Sequence, residues 1–225
     1  MSEGPPPDRA AAIARLTAFG AGSDADIDLA EAALLLAGFD RPEARLDDYR
    51  HRLAALGRDL AAERDSAGPE AGATLAGRAA ALAAVIAGHH GFTGDRETYN
   101  DLRNANLISV IDRRRGLPVA LAILYIHAAR AVGWTIEGLN FPGRFLVRLG
   151  AADGRVVLDP FEGGEIRDAV ALRELLKLGA GASAELAPEH FAAAGNRDIL
   201  LRLQNNIKVR LVRAEDAVQI GMALA

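Results

Sequence analysis

The chain has 225 residues, half of them hydrophobic, with a formal net charge of −4 and no cysteine. That length allows one large domain or one domain with an appendage. The lack of cysteine excludes disulfides, thiolate metal ligands and a thiol nucleophile, and the acidic balance leaves no footprint for general nucleic-acid binding.

Residues 1–7 are rich in proline and glycine and read as a disordered tail. The opening MSEGPPPDRAAAIARL has no basic stretch leading into an apolar one, so no secretory leader is expected. Asp8 is a candidate cap for a helix running to about Phe19. Asp24 or Asp26 would start a second helix through EAALLLAG. In the third, Leu46, Tyr49, Leu53, Leu56 and Leu60 step by three and four, which lays one apolar stripe. SAGPEAG at 66–72 reads as a loop, and an alanine-rich helix follows to about Ala87. GHHGFTGD at 88–95 reads as a second loop.

Asn104 is placed to cap a helix that ends in Arg113, Arg114 and Arg115, cations suited to a helix C-terminus. Gly116 breaks the chain. Pro118 then arrives with its φ already set at the first turn of a helix over about 118–132. That helix is apolar on nearly every side and is expected at the centre of the fold, ended by Gly133. The longest uninterrupted apolar run, Leu117 to Ile126, is half the ~20 residues needed to cross a bilayer, so no membrane span is expected.

The periodicity then changes to two. Trp134 to Phe141 reads as a strand, Pro142-Gly143 as the central pair of a type II turn, and Phe145 to Leu149 as a second strand. Asp153-Gly154 signals a hairpin into a third strand at Val156 to Leu158. AVALRELLKLG after Asp168 is one more helix. Asn196 opens another, with Leu200, Leu203, Ile207 and Leu211 as its stripe. A last helix over about 215–225 would complete a C-terminal helical hairpin. The fold class is therefore α+β, with a helical N-terminal half and one buried helix against a small antiparallel sheet. The expected divisions are 8–95, 96–188 and 189–225.

Three motifs occur in order: YNDLRNANLISVIDRRRGLPVALAILYIHAARAVGW, GLNFPGRFLVRLG and VVLDPFEGGEI. Together they resemble the transglutaminase-like superfamily, whose core is papain-like. The closer resemblance is to a bacterial SirB-type branch, in which tetratricopeptide-type helices follow the core. The final segment, RDILLRLQNNIKVRLVRAEDAVQIGMALA, is similar to the first of those helical repeats. The resemblance implies a Cys-His-Asp catalytic triad. Counting from Gly116 puts the nucleophile at Pro118, or at Ala120 if the register slips by two. The usual Pro-Gly-His-Phe stands here as Pro142, Gly143, Arg144 and Phe145, and the Asp of the Asp-Pro pair is Asp159.

A proline or alanine cannot attack a carbonyl, and a guanidinium stays protonated and cannot act as a base. The expectation is therefore a non-enzyme with no catalytic residues and no cofactor, acting in the cytoplasm on another protein or a peptide. Pro118, Arg144 and Asp159 mark the vestigial triad. The resemblance implies that the Arg144 and Asp159 positions lie together, and in the plainest reading the two form a two-point salt bridge that locks adjacent strands. In the other, Arg144, Asp159 and Asn104 line an anion or peptide pocket near the positive end of the buried helix. An enzyme using residues outside the triad would call on His127 together with Asp159.

His89-His90 has Asp95 nearby but no third ligand at a recognisable spacing, and reads as an exposed loop with no metal. His127 reads as a partly buried, hydrogen-bonded histidine, and Asn104 and Asn106 as cap and turn residues. Arg113 to Arg115 read as a solvated cluster and Gly163-Gly164 as a turn.

Overall fold

A computed structural model describes residues 9–68 and 72–223 of the chain. The N-terminal half is helical. Helix α1 spans Arg9–Ala21, α2 Leu29–Gly38, α3 Leu46–Ser66 and α4 Leu75–Leu82. The anticipated stripe of α3 is fully inside, with Leu46, Tyr49, Leu53, Leu56 and Leu60 all buried. The cap of α2 is neither Asp24 nor Asp26, which lie in a 3-10 turn. It is Asp28, whose carboxylate accepts the Glu31 N–H at 3.1 Å. Asp8, the tail 1–7 and residues 69–71 of the expected loop lie outside the described residues.

Helix α4 does not end at Ala87. It widens into a π-helical turn over Ala83–His89, closed by the His90 N–H donating to the Val85 carbonyl at 2.9 Å. A pair of two-residue parallel strands follows, β1 (Thr93–Gly94) against β2 (Arg115–Gly116). Between them runs α5, Leu107–Arg113. Its cap is Asn106, whose side chain accepts the Ser109 N–H at 3.0 Å, and not Asn104. Arg114 ends α5 with φ of +58°, a left-handed conformation usually left to glycine or asparagine.

Helix α6, Pro118–Ala131, begins on its proline as expected, and every residue from Pro118 to Ile126 is buried. It lies between α3 and a five-stranded antiparallel sheet in the order β6-β5-β4-β3-β7. The strands are β3 (Ile136–Leu139), β4 (Leu146–Ala151), β5 (Gly154–Asp159), β6 (Glu165–Ile166) and β7 (Ala193–Ala194). Pairings of Leu149 with Ile136 and Val156 set a register in which Val147, Leu149 and Leu158 join the core around α6. The opposite face carries Leu139, Leu146 and Val157. It is covered by α7 (Ala169–Ala180) through Leu172 and Leu176. Alternation along each strand thus builds two cores, one on each side of the sheet.

Pro142 and Gly143 form the expected turn, with Gly143 at φ of +75° and the Arg144 N–H donating to the Phe141 carbonyl at 3.1 Å. The next hairpin is displaced by one residue from its expected place. Ala151 pairs with Gly154, so Ala152 and Asp153 make the turn and Gly154 opens β5. Asp153 is thereby freed to accept the Leu75 N–H at the start of α4, at 3.1 and 3.2 Å.

The C-terminal segment is one continuous helix, α8, Asn196–Ala223, in place of the expected hairpin. The stretch between Asn196 and Ile220 contains neither glycine nor proline, so nothing breaks the backbone hydrogen bonding. Its buried stripe runs through Ile199 and Leu203, whereas Leu211 is exposed. No helix among the described residues is long and apolar enough to cross a membrane.

Candidate functional site

Asp159 ends β5 and caps the 3-10 turn Pro160–Glu162, its Oδ1 accepting the Phe161 N–H at 3.0 Å. It is completely buried. Its hydrogen-bonded ion pair is with Arg167, whose Nη2 donates to Oδ2 at 3.1 Å. Arg144 comes within salt-bridge range of the same oxygen, with Nε at 3.8 Å, but makes no hydrogen bond to it. The expected two-point contact is therefore not formed. Arg144 instead divides its charge between Asp159 and Glu162, the latter at 3.6 Å, and lays its guanidinium over the Phe161 ring at 4.6 Å. Arg96 pairs with the other oxygen of Glu162.

Burial raises the proton affinity of Asp159 above the ordinary carboxylate value, while Arg144, Arg167 and the Phe161 amide oppose the rise. Tyr125 of α6 feels the same carboxylate. Burial first, and then the Asp159 charge, push its hydroxyl above the usual phenol range. That hydroxyl is buried without a hydrogen-bond partner, against Gly164. A side chain at Gly164 would put a Cβ 2.9 Å from the Tyr125 oxygen, which is one reason a glycine stands there.

The segment leading to Pro118 is held by a second buried carboxylate. Asp95 accepts the Thr98 N–H at 2.8 Å, the Thr98 hydroxyl at 2.6 Å and Arg113 Nη2 at 2.9 Å. Burial alone would raise its pKa. The Thr98, Arg113 and Asn104 contacts outweigh burial and hold it well below the usual carboxylate range. Asn104 is fully buried in this network, donating to the Thr98 carbonyl at 2.6 Å and accepting Arg113 Nη1 at 2.9 Å. Its own carbonyl accepts the Leu117 N–H at 2.9 Å, one residue before Pro118.

Phe161 joins the two halves. Gly94 lies so close to its ring that a Cβ there would sit 2.5 Å from the ring carbons, and the Tyr99 ring meets its edge at 5.9 Å. The structure therefore brings Arg144 and Asp159 together, as expected. Asn104 belongs to the neighbouring Asp95 network rather than to a pocket with Arg144. Arg113 to Arg115 are not one solvated cluster. Arg113 pairs inward with Asp95, Arg114 caps α5, and Arg115 pairs with Glu97 at 3.1 Å.

Arg167 went unnoticed in the sequence. Its only signal was an arginine eight residues beyond Asp159, across the short β5–β6 pairing. His127 is held by the Leu53 carbonyl at 3.1 Å, and burial lowers its pKa against the pull of Asp28. It is the partly buried, hydrogen-bonded histidine that its place on α6 suggested, with Asp28 rather than Asp159 as its carboxylate neighbour. His89 and His90 end the π turn instead of lying in a loop. Their acidic neighbour is Asp59 of α3, not Asp95.

The model of the transglutaminase-like superfamily matches residues 47–205. A UPF0162 protein of Vibrio cholerae is 34% identical over 194 residues, covering 84% of this chain and 68% of its own length. A UPF0162 protein of Xylella fastidiosa is 42% identical over 120 residues, 52% of this chain and 43% of that protein. The matched part of the chain thus spans less than half the length of that relative. F-box only protein 21 of Mus musculus is 35% identical over 71 residues, 32% of this chain and 11% of that protein. No solved structure matches.

Proposed function

The chain belongs to the transglutaminase-like superfamily, and from that premise we propose that it is a non-catalytic member that binds another protein or a peptide in the bacterial cytoplasm. One observation carries the reading. The guanidinium of Arg144, which the resemblance puts in the position of the family's histidine, is taken up by Asp159, Glu162 and the Phe161 ring. A guanidinium held this way cannot accept a proton, and Pro118 has no nucleophilic atom to activate. Arg144 acts as a strut between the Pro142-Gly143 turn and the Asp159 turn.

We assign the chain to the SirB-type branch and read α8 as the first helix of its tetratricopeptide-type segment. Leu201, Val209 and Val212 are exposed along one face of α8, opposite in kind to the buried Ile199 and Leu203. Such a face suits packing against a further helix.

The test pairs turnover with capture. A panel of amide, ester and thioester substrates is expected to give no rate above the uncatalysed one. Quantitative capture from lysate is expected to return a partner that a Leu201→Glu, Val209→Glu variant loses while keeping its melting midpoint. Turnover abolished by Asp159→Asn in a folded variant would overturn the reading, as would capture identical in both chains.

A further inference from the structure

Outside the vestigial triad, three metal-ligating side chains converge from two elements. Asp59 projects from α3, and His89 and His90 stand where the π turn ends. His90 Nε2 lies 2.8 Å from Asp59 Oδ2, and His89 Nδ1 lies 3.8 Å from the same oxygen. All three ligand atoms fall within 4.8 Å of one another.

The π turn accounts for the convergence. Consecutive side chains of a regular α-helix diverge by about 100°. Here the chain leaves the widened turn at His89, and the two rings sit 4.8 Å apart, centroid to centroid. Such turns are frequently found at functional sites. The Phe92 ring stacks on His90 at 6.3 Å and backs the site from inside. Side-chain exposures of 69% for His89, 35% for Asp59 and 22% for His90 leave the other side open to solvent.

We propose that Asp59, His89 and His90 bind one divalent transition-metal ion, zinc being the best match. Two imidazoles and a carboxylate are a donor set suited to zinc, with a fourth position open. Tetrahedral bonds of about 2.0–2.1 Å set ligand atoms about 3.4 Å apart. The separations to Asp59, 2.8 and 3.8 Å, lie on either side of that value, and with all three atoms within 4.8 Å of one another the side chains need to shift by about an ångström to share one ion. His90 also lines a cleft of about 510 Å³, with Arg52, Asp112 and Arg114 around it. The site shares no residue with Pro118, Arg144 and Asp159, so its test and that of the binding reading have separate outcomes.

The experiment is titration of the tag-free, chelator-dialysed chain with Zn2+, followed by calorimetry and by native mass spectrometry. One ion per chain is expected, together with a rise in melting midpoint. His89→Ala and Asp59→Asn are each expected to weaken binding at least about tenfold, since even changes to groups behind a ligand cost that much. His51→Ala, at an exposed histidine of α3 outside the cluster, is expected to leave affinity unchanged. His89 is exposed and its change leaves the core intact, so loss of binding there reads out the ligand and not the fold. The site is refuted if the parent chain binds no Zn2+, or if His89→Ala and Asp59→Asn both bind it as the parent does.

Discussion

Asp95 and Asp159 are both buried, yet their surroundings push their proton affinities in opposite directions. Asp159 is dominated by burial, which raises its value. For Asp95 burial also acts to raise the value, but its donors taken together outweigh it and lower the net. A carboxylate with a lowered folded value lends stability that is complete above its unfolded value, about 3.9, and is lost as the pH falls through the folded value. Asp95→Asn is therefore expected to cost about 3 kcal/mol near neutrality, the order seen when one partner of a buried pair is removed. The gap between the two chains should hold steady down to about pH 5 and narrow below about pH 4. Urea unfolding of both chains across that range measures it. A gap that widens on acidification would contradict the assigned direction.

The turn that carries Arg144 depends on an approach between two elements that no single segment reveals. Gly143, at φ of +75°, meets Gly179 of α7 backbone to backbone. A Cβ on Gly179 would lie 2.7 Å from the Pro142 carbonyl and 2.9 Å from Gly143 Cα, and backbone atoms cannot step aside as a flexible side chain can. Gly179→Ala is expected to destabilise by about 1–3 kcal/mol through this overpacking. Thermal melts read the loss. A double-mutant cycle with Arg144→Ala should show non-additivity, because the two sites share one turn. Strict additivity would mean that the turn does not transmit the strain to Arg144.

Across the whole molecule, the sheet separates a large core around α6 from a small one beneath α7. Leu121 is fully buried in the first and Leu176 in the second. Either change to alanine is expected to cost about 2–4 kcal/mol. Leu121→Ala should lower protection from hydrogen exchange throughout. Leu176→Ala should speed exchange chiefly over Ala169–Ala180, since that helix has few other buried anchors. Uniform loss of protection in both variants would show one cooperative unit instead of two. The end of α1 and the turn after it are also tied to the start of α8. Asp24 accepts the N–H groups of Asn196 and Arg197, each at 2.8 Å, and so caps α8 from a distance of some 170 residues in sequence.

The sequence by itself determined the helical first half, the buried proline-started helix and the Pro142-Gly143 turn, and its family resemblance placed Arg144 near Asp159 without the two-point contact that was expected. These follow from periodicity, from proline and glycine geometry, and from a motif order that one segment can carry. Which asparagine or aspartate caps a given helix was only partly legible. Asp28 and Asn106 displaced the nearby candidates Asp24 and Asn104, because those two were drawn into tertiary contacts of their own. Only the tertiary structure decided that Arg167 holds Asp159, that Arg113 turns inward to Asp95, and that Asp59 joins His89 and His90. Each of these depends on side chains from different elements reaching one point. Hydrophobic patterning orients an element's face towards the core, but it does not specify which polar groups will meet there once burial forces them to find partners.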